Sequence, residues 1–460
     1  MGKQYNTDCS KESRRLFERT LDQAMSPLED FVHKETSSGI LLIICAVLAI
    51  GIANSPLFPL YDKILHTKIT VGGGPFVLSL SLHHWINDGL MVLFFFVVGL
   101  EVKREMLIGE LANFRQAVLP ISAAIGGMVV PALCYLVFNL GGDGVDGWGI
   151  PMATDIAFAL GVIAMLGKRV PKPLVALLLA IAIVDDLGAV LVIAVFYTDT
   201  IHLGALLMAV ACLLILIGVN SAGVRRPLPY VVFGVLMWLA MIKSGVHATL
   251  AGVLTALTVP ASSFCDAGLF ADRMGELAGD FRQQIASETA GSRFNILRNV
   301  KKQTILQSME NIVHKMESPL QRMEHHLHVW VSFLIVPLFA LANAGIPIDV
   351  STLGTVLQHP VTLGVMAGLI FGKVAGIFLF SWVAVKAGWS KLPTGVRFPQ
   401  VAGVGLLGGI GFTMSIFIGS LAFPSDPEYL INAKIGIVLA SLIAGIAGYL
   451  WLLQTTEKRD

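Results

Sequence analysis

The stretch AIAIVDDLGAVLVIAV, residues Ala180–Val195, places two adjacent carboxylates, Asp185 and Asp186, in a segment that is otherwise apolar or glycine. An ionised Asp at the centre of a membrane-spanning helix costs about 2.5–3.5 kcal/mol on insertion scales. Neighbouring residues on a helix point about 100° apart, so one partner cannot satisfy both side chains. Ionisable residues in such segments typically mark ion pathways or proton relays. We therefore interpret the pair as functional rather than as packing acids.

The composition indicates a protein that crosses a membrane many times. The chain of 460 residues is 55% hydrophobic and only 14% charged, and its mean hydropathy is +0.75. Soluble globular proteins carry about 25% charged residues. The formal net charge of +1 gives no indication of a nucleic-acid partner. The five cysteines show no paired or metal-like spacing, so we expect reduced thiols.

The apolar runs predict an all-α membrane protein with about twelve spanning helices. A helix needs about 20 apolar residues to cross the hydrocarbon core. The predicted spans lie near residues 37–54, 84–106, 117–139, 149–166, 173–197, 202–219, 228–242, 246–259, 327–344, 361–386, 399–423 and 430–453. The seventh and eighth are the shortest, and only the residues IKSG separate them.

The basic residues indicate how the chain lies across the membrane. With residues 1–36 in the cytoplasm, 19 Lys and Arg fall on the cytoplasmic side and three outside, leaving aside the long loop 260–326. Lys and Arg are concentrated in the cytoplasmic loops of membrane proteins. We therefore expect cytoplasmic tails at 1–36 and 454–460. The long loop divides the membrane domain into 37–259 and 327–453.

Two regions outside the spans carry patterns of their own. Residues 55–83 contain alternating β-forming residues around glycines, KITVGGGPFVLSLSL, which predict an exposed external hairpin. In the loop 260–326, apolar residues recur at helical spacing at Phe270, Met274, Leu277, Phe281 and Ile285. This spacing predicts an amphipathic cytoplasmic helix, which packs on the protein itself or meets a membrane surface or a partner.

Two of the spans contain helix-breaking residues. In the fourth, WGIPMATDIAFALG, Gly149, Pro151 and Thr154 precede a third acid, Asp155, and in the eleventh, GVGLLGGIGFTMSIFIGS, glycines recur. Irregular backbone within a membrane is tolerated where it is buried in protein or lines a wet cavity. Each broken span is the middle of a group of three, 3–5 and 10–12. This arrangement predicts inverted repeats, with the two broken helices crossing near the bilayer midplane.

One lysine adds a positive charge to the apolar interior. Lys373 has apolar residues on both sides, so it needs a carboxylate partner, Asp185 or Asp186, or must lose its proton. Carboxylates, a Thr hydroxyl and free carbonyls are hard ligands that suit a small cation. The same carboxylates bind protons, so competition for one site would couple the two ions. Exchange of more than one proton per Na⁺ would be driven by the membrane potential.

Five motifs resemble the NhaA-type Na⁺/H⁺ antiporters of bacterial inner membranes. They are VGLEVKRE, ATDIAFALG, IVDDLGA, IKSGVHATLAG and GIGFTMSIFIGSLAF, and the resemblance covers nearly all of residues 35–455. It implies a multi-pass inner-membrane protein that exports Na⁺ or Li⁺ in exchange for external H⁺ and is activated at alkaline pH. It also implies a homodimer formed through the hairpin region 55–83.

The resemblance also assigns roles to particular residues. It makes Asp186 the principal Na⁺ ligand, with Asp185 and Thr154 beside it, and it pairs Lys373 with the first carboxylate. Asp155 belongs to the polar group at the crossing of the broken helices. A pH-response cluster at the cytoplasmic funnel is implied for Glu101, Arg104, Glu105, His247 and Glu324. Solvated helix-end charges, and a packed His247, are the alternative interpretation of these residues.

Two other functions remain open from the residues alone. A sodium-coupled symporter of an organic solute would need substrate contacts in the broken spans, which carry mainly small and apolar residues. A membrane sensor or scaffold would use the loop 260–326, which is longer than the family's usual connection, and would lose function on deletion of 262–318. We expect Na⁺, Li⁺, H⁺ and membrane lipid as partners, and neither nucleic acid, a cofactor nor enzymatic activity.

Overall fold

The computed structural model describes residues 35–73, 76–198, 201–262, 267–286, 300–347, 351 and 353–456. Its helices are α1 Glu35–Ala53, α2 Phe58–Leu65, α3 Leu82–Ile108, α4 Phe114–Asn139, α5 Ile156–Leu166, α6 Lys172–Phe196, α7 Leu203–Ser221, α8 Pro227–Ser244, α9 Leu250–Thr258, α10 Ala267–Ala286, α11 Val300–Met316, α12 Pro319–Asn343, α13 Leu353–Gln358, α14 Pro360–Lys386, α15 Phe398–Gly408, α16 Phe412–Ala422 and α17 Pro427–Thr455. A 3₁₀ helix, Asp143–Met152, precedes α5.

Among the described residues, eight helices are long and apolar enough to cross a membrane, namely α3, α4, α6, α7, α8, α12, α14 and α17. Three bent pairs add up to three more spans: α1 with α2 (115°), the 3₁₀ helix with α5 (42°), and α15 with α16 (49°). These eleven coincide with eleven of the predicted spans, which confirms the all-α polytopic fold. The predicted eighth span, 246–259, contains only the nine-residue α9. At about 14 Å, this helix is shorter than the hydrocarbon core of about 30 Å.

The two regions outside the spans fold as the sequence predicts, with one addition. Strand β1, Lys68–Gly73, pairs antiparallel with β2, Phe76–Ser81, and the unpredicted helix α2 leads into this hairpin. In the long loop, α10 carries the periodic apolar residues and contacts α11. The backbone N–H of Leu320 donates to the carbonyl of Pro260 (3.2 Å), which closes the loop at its base. We call the end of the bundle that carries β1 and β2 the hairpin end, and the end that carries α10 and α11 the loop end.

Some predicted features lie outside the described residues. They are most of the tail 1–36, the end of the tail 454–460, Cys9 and Cys265. The remaining cysteines, Cys45, Cys134 and Cys212, are free thiols, as the spacing predicts.

Two groups of three spans run in opposite directions through the bundle. The first contains α4, the 3₁₀ helix with α5, and α6, and the second contains α14, α15 with α16, and α17. At the end of α4, Asn139 Nδ2 donates to the carbonyl of Pro360 at the start of α14 (3.1 Å). Just after α14, Ser390 Oγ donates to the carbonyl of Arg115 at the start of α4 (3.3 Å). The two groups are therefore antiparallel, as inverted repeats require.

Helices α4 and α14 pack backbone against backbone. A Cβ on Gly376 would lie 2.1 Å from the carbonyl oxygen of Gly126, and one on Gly372 would lie 2.8 Å from Pro131 Cα. Small residues at such positions let membrane helices approach closely. This contact holds α14 beside the first broken helix. It also buries Lys373, which follows Gly372 and is 0% exposed.

Candidate ion-binding site

The two broken helices meet at the points where they are interrupted. The first is broken before α5, at Asp155, and the second before α16, at Gly411. The N–H of Asp155 donates to the carbonyl of Ile410 (2.6 Å). A Cβ on Gly411 would lie 3.1 Å from the carbonyl oxygen of Ala153. The crossing predicted from the Gly and Pro positions is therefore a direct backbone contact, and a larger residue at Gly411 would crowd it.

Asp155 binds the N-terminal ends of α5 and α16, the two helices that follow the breaks. Its Oδ1 accepts from the N–H of Phe158 in α5 (3.0 Å). Its Oδ2 accepts from the N–H (3.1 Å) and the hydroxyl (2.6 Å) of Thr413 in α16. A carboxylate satisfies the unpaired N–H groups of a helix start and favours the positive end of its dipole. Thr413 was not among the sequence candidates, although the quoted motif GIGFTMSIFIGSLAF contains it.

Lys373 forms a fully buried ion pair with Asp185. Its Nζ lies 2.6 Å from Asp185 Oδ2 and also donates to the carbonyl of Met152, the last residue of the 3₁₀ helix. The hydroxyl of Thr154 lies 2.8 Å from the same Oδ2 and 2.9 Å from the carbonyl oxygen of Gly408, and its one proton can serve only one of them. No side-chain pattern could have indicated Met152, because its contribution is a backbone carbonyl freed by the helix break.

Asp186 is buried without a partner. It is 0% exposed, and neither of its carboxylate oxygens has a hydrogen-bond partner among the described residues. The Oδ1 of the adjacent Asp185 is also unbonded. Buried polar groups normally have partners, and an ionised carboxylate without one is costly. A bound proton or a small hard cation would satisfy these oxygens, and carboxylate, hydroxyl and carbonyl oxygens are the ligands that such a cation prefers.

A cavity lies at the loop end of the bundle, beside α6. It has a volume of about 380 Å³, and its lining includes Glu105, Glu110, Gln116, Ala176 and Ala180. Ala180 precedes Asp185 by five residues, which is about 7.5 Å along α6. Water and ions at the loop end can therefore come within two helical turns of the buried acids.

Comparison with known proteins identifies the family. Residues 29–452 match the family model described as Na⁺/H⁺ antiporter 1. The chain belongs to this family. It is 50% identical over 436 residues to "Na(+)/H(+) antiporter NhaA 1" of Saccharophagus degradans, covering 95% of this chain and 93% of that protein. It is 48% identical over 441 residues to "Na(+)/H(+) antiporter NhaA" of Sulfurimonas denitrificans (95% and 97%). The corresponding protein of Oleidesulfovibrio alaskensis is 47% identical over 440 residues (96% and 96%).

Membership of the Na⁺/H⁺ antiporter 1 family confirms the resemblance that the motifs indicate. The similar proteins carry the names of transporters rather than of enzymes. The family model extends over both inverted groups and both breaks. The oxygen-lined crossing is therefore part of the region that this chain shares with the family.

In this antiporter-family chain, four of the five candidates for pH response lie together at the loop end. Arg104 on α3 pairs with Glu324 on α12 and, at 3.2 Å, with its neighbour Glu105. Glu101 lies 3.6 Å from the ring nitrogen of His328. These side chains are partly exposed, unlike the central acids, so the solvent reaches them. The group is an ionic cluster where α3 meets the start of α12.

His247, the fifth candidate, lies apart from this cluster. Its Nδ1 is 2.7 Å from the hydroxyl of Thr249, and its ring packs against Phe417 on α16, with 5.5 Å between centroids. The whole of α9 lies between His247 and the carbonyl of Val259, to which Lys103 in the cluster region donates at 2.5 Å. The structure therefore brings His247 to the second broken helix instead. Its role in a pH response stays a prediction.

Proposed function

We propose that this protein exchanges Na⁺ for H⁺ across a membrane and that Asp185 and Asp186 hold the two ions in turn. The observation that carries the proposal is the unpartnered, fully buried carboxylate of Asp186 beside the Asp185–Lys373 ion pair. One site that always carries either a proton or a cation cannot return empty. Movement of each ion then depends on countermovement of the other.

The site residues have distinct parts in this exchange. Asp186 supplies two free oxygens to Na⁺, while Asp185 supplies its unbonded Oδ1 and Thr154 its hydroxyl oxygen. Lys373 holds Asp185 while the site lacks Na⁺, and it competes with the cation for that carboxylate. A cation that draws Asp185 towards itself weakens the ion pair. Lys373 then keeps its bond to the carbonyl of Met152 and stays at the crossing.

The exchange is proposed to be electrogenic and to accept Li⁺ as well as Na⁺. Na⁺ displaces the proton that Asp186 carries, and the Lys373 ammonium, once Asp185 turns to the cation, can release a second proton. Each net charge that crosses gains about 2.3 kcal/mol per 100 mV of membrane potential. Li⁺ is also a hard monovalent cation and is suited to the same oxygen ligands.

The remaining parts of the proposal concern regulation and surroundings. The ionic cluster of Arg104, Glu101, Glu105 and Glu324 lies at the loop end. We propose that it controls access to the ion site in response to pH. The Lys and Arg distribution supports a cytoplasmic loop end with both termini inside, in a bacterial inner membrane. The hairpin of β1 and β2 is the surface that we expect to join two copies of the chain.

The packed crossing favours this exchange over symport of an organic solute. A single added Cβ at Gly411 would lie 2.1 Å from Ser415 Oγ and 3.1 Å from the carbonyl of Ala153. A crossing that resists one methyl group leaves little room for an organic molecule. It suits an ion that needs only a few oxygen atoms.

Purified protein in proteoliposomes tests the proposal directly. An outward-directed Na⁺ gradient should acidify the lumen, and an imposed pH difference should drive ²²Na⁺ uptake. An imposed potential, set with valinomycin and K⁺, should change the rate of exchange if it is electrogenic. Sodium uptake that ignores the pH difference would refute the exchange itself. Uptake that follows the pH difference but ignores the potential would refute only its electrogenic form.

A further inference from the structure

Helices α3 and α12 are joined by polar contacts at both ends. At the loop end, Arg104 on α3 pairs with Glu324 on α12. At the hairpin end, three side chains, Asn87 and His83 on α3 and Asn343 on α12, bond to one another. We call these three the amide latch. A separation of α3 from α12 at the hairpin end requires that the latch opens.

The two asparagines of the amide latch are buried, and their contact is reciprocal. Asn343 Nδ2 donates to Asn87 Oδ1 (2.8 Å), and Asn87 Nδ2 lies 3.4 Å from Asn343 Oδ1. His83 Nε2 lies 3.1 Å from that same Oδ1. Asn343 is 1% exposed and Asn87 is 8% exposed. Because a buried amide without a partner is unfavourable, the latch stabilises contact between the two helices until water or another partner replaces it.

An aromatic layer connects the latch to the ion-binding crossing. Phe417 on α16 lies between Phe95 on α3 and Phe339 on α12, with centroid distances of 5.8 and 6.1 Å. Asn343 Nδ2 also donates to the carbonyl of Phe339, one turn away (3.1 Å). Thr413 donates to Asp155 at the crossing, and Phe417 follows Thr413 by one turn of α16. Movement of α12 away from α3 would therefore open this layer above the crossing.

Both latch helices contain a π turn, and one of them includes a latch residue. The π turn of α3 is Trp85–Leu90, which contains Asn87, and that of α12 is Val331–Ile335. A π turn inserts one residue into the α-helical ladder and often occurs at functional sites. These turns provide places where either helix can bend without unfolding.

In the described part of the structure, the two ends of the bundle differ. The cavity of about 380 Å³ lies at the loop end, whereas the latch and the bond from Tyr61 Oη to the carbonyl of Leu341 (2.6 Å) lie at the hairpin end. We propose that Asn87, Asn343 and His83 are positioning residues that hold the hairpin-end route closed. Their release lets the ion site face that end. This inference rests on the proposed exchange and adds the step that reverses access.

The test compares the apparent KM for Na⁺ from each side of the membrane. Right-side-out and everted vesicles present opposite ends of the protein, and both support measurement of Na⁺-dependent H⁺ flux. The apparent KM on one side varies inversely with the fraction of molecules open to that side. For Asn343→Ala we expect KM to fall at the hairpin end and rise at the loop end, with a change in their ratio of about threefold or more.

Two further variants complete the design. Asn87→Ser keeps one hydroxyl at the latch and should shift the KM ratio in the same direction by a smaller factor. Asn139→Ala is the matched control, because Asn139 is also a buried amide that joins two helices at the hairpin end, α4 and α14. Its removal should change the maximal rate or both KM values together and leave their ratio unchanged.

The outcomes separate the inference from the proposed function. If both latch variants leave the KM ratio as it is in the wild type, or shift it no more than Asn139→Ala does, the latch has no part in access. If Asn343→Ala fails to insert, Asn87→Ser decides the question alone. A wild-type protein without Na⁺-dependent H⁺ flux would instead refute the exchange on which the inference rests.

Discussion

The ionic cluster at the loop end and the crossing of the broken helices each contain three carboxylates but place them in opposite surroundings. In the ionic cluster the carboxylates are partly exposed, with 11–19% of each side chain accessible, and each lies beside a cationic or titratable partner. At the crossing they are 0–2% exposed, and only one has a cation beside it. The first set consists of Glu101, Glu105 and Glu324, and the second of Asp155, Asp185 and Asp186.

The difference shows that a count of acids does not define an ion site. Partly exposed charges are solvated, and their ion pairs contribute about 0–1 kcal/mol each. Burial of an ionised carboxylate without a partner is unfavourable, and a bound cation or proton removes that cost. Asp155 shows that burial alone is insufficient, because backbone and hydroxyl donors already satisfy it. Asp186 combines burial with unbonded oxygens, and that combination makes it the candidate ion ligand.

The largest expected effect is that of Asp186→Asn. The neutral amide keeps the shape of the side chain but can neither exchange a proton nor balance the charge of Na⁺. Exchange should fall to the level of vesicles that lack the protein, while the thermal unfolding temperature stays the same or rises. Na⁺-induced dissipation of a pH gradient in everted vesicles measures the first, and unfolding of the purified protein in detergent measures the second.

Glu105→Gln at the loop end is the matched control for this change. It also neutralises a carboxylate by one amide, but in the region where solvent and Arg104 already stabilise the charge. We expect exchange to continue, with an altered dependence on pH. Exchange at the wild-type rate in Asp186→Asn, or complete loss in Glu105→Gln alone, would reverse the distinction between the two regions.

A smaller but measurable effect is expected when the buried ion pair is broken. Lys373→Met leaves Asp185 without its cation, and removal of one partner of a buried pair costs about 3–5 kcal/mol. The double variant Asp185→Asn with Lys373→Met removes both charges and should recover much of that stability. Equilibrium unfolding in detergent of the wild type, both single variants and the double variant measures the coupling. Additive losses would show that the two charges do not stabilise each other.

The smallest effect on stability is expected for Arg104→Gln. Its side chain is 38% exposed and its partners are carboxylates of the loop-end cluster, so the unfolding free energy should change by less than about 1 kcal/mol. Loss of the cation removes the positive charge that favours the ionised form of Glu324. We therefore expect exchange to reach half of its maximal rate at a higher pH than in the wild type.

Arg226→Gln is the control for this last change. Arg226 is an exposed basic residue before α8, so its replacement alters the net charge equally without touching the cluster. The rate of exchange as a function of pH is the measurement for both variants. Equal shifts in the two would assign the effect to overall charge and not to the contacts of Arg104.

Much of the fold follows from local features of the chain. The apolar runs predicted eleven of the spans, and Gly149, Pro151 and the glycines near Gly411 predicted the breaks in two of the three bent pairs. These features act locally, because a run of apolar residues or an interrupted backbone has the same consequence wherever it occurs. The exception is α9, where hydropathy alone suggested a span that the helix is too short to form.

The contacts of the site depend on packing between distant segments. Lys373 and Asp185 are separated by 188 positions, and hydropathy could not tell which acid the lysine would reach. The close approach of α14 to α4 decides it, since Gly372 and Gly376 allow the backbones to touch. Similarly, nothing local to His247 indicates that its ring packs on Phe417, far along the chain.

The amino-acid sequence by itself determined that the chain spans a membrane, where two of its helices break, and which acids are placed in apolar surroundings. Those properties depend on side-chain polarity and backbone freedom, which each segment carries with it. The tertiary structure alone decided which carboxylate Lys373 neutralises, which one is left unbonded, and which backbone carbonyls join them. Those outcomes depend on distances between helices, and such distances exist only once the helices have packed.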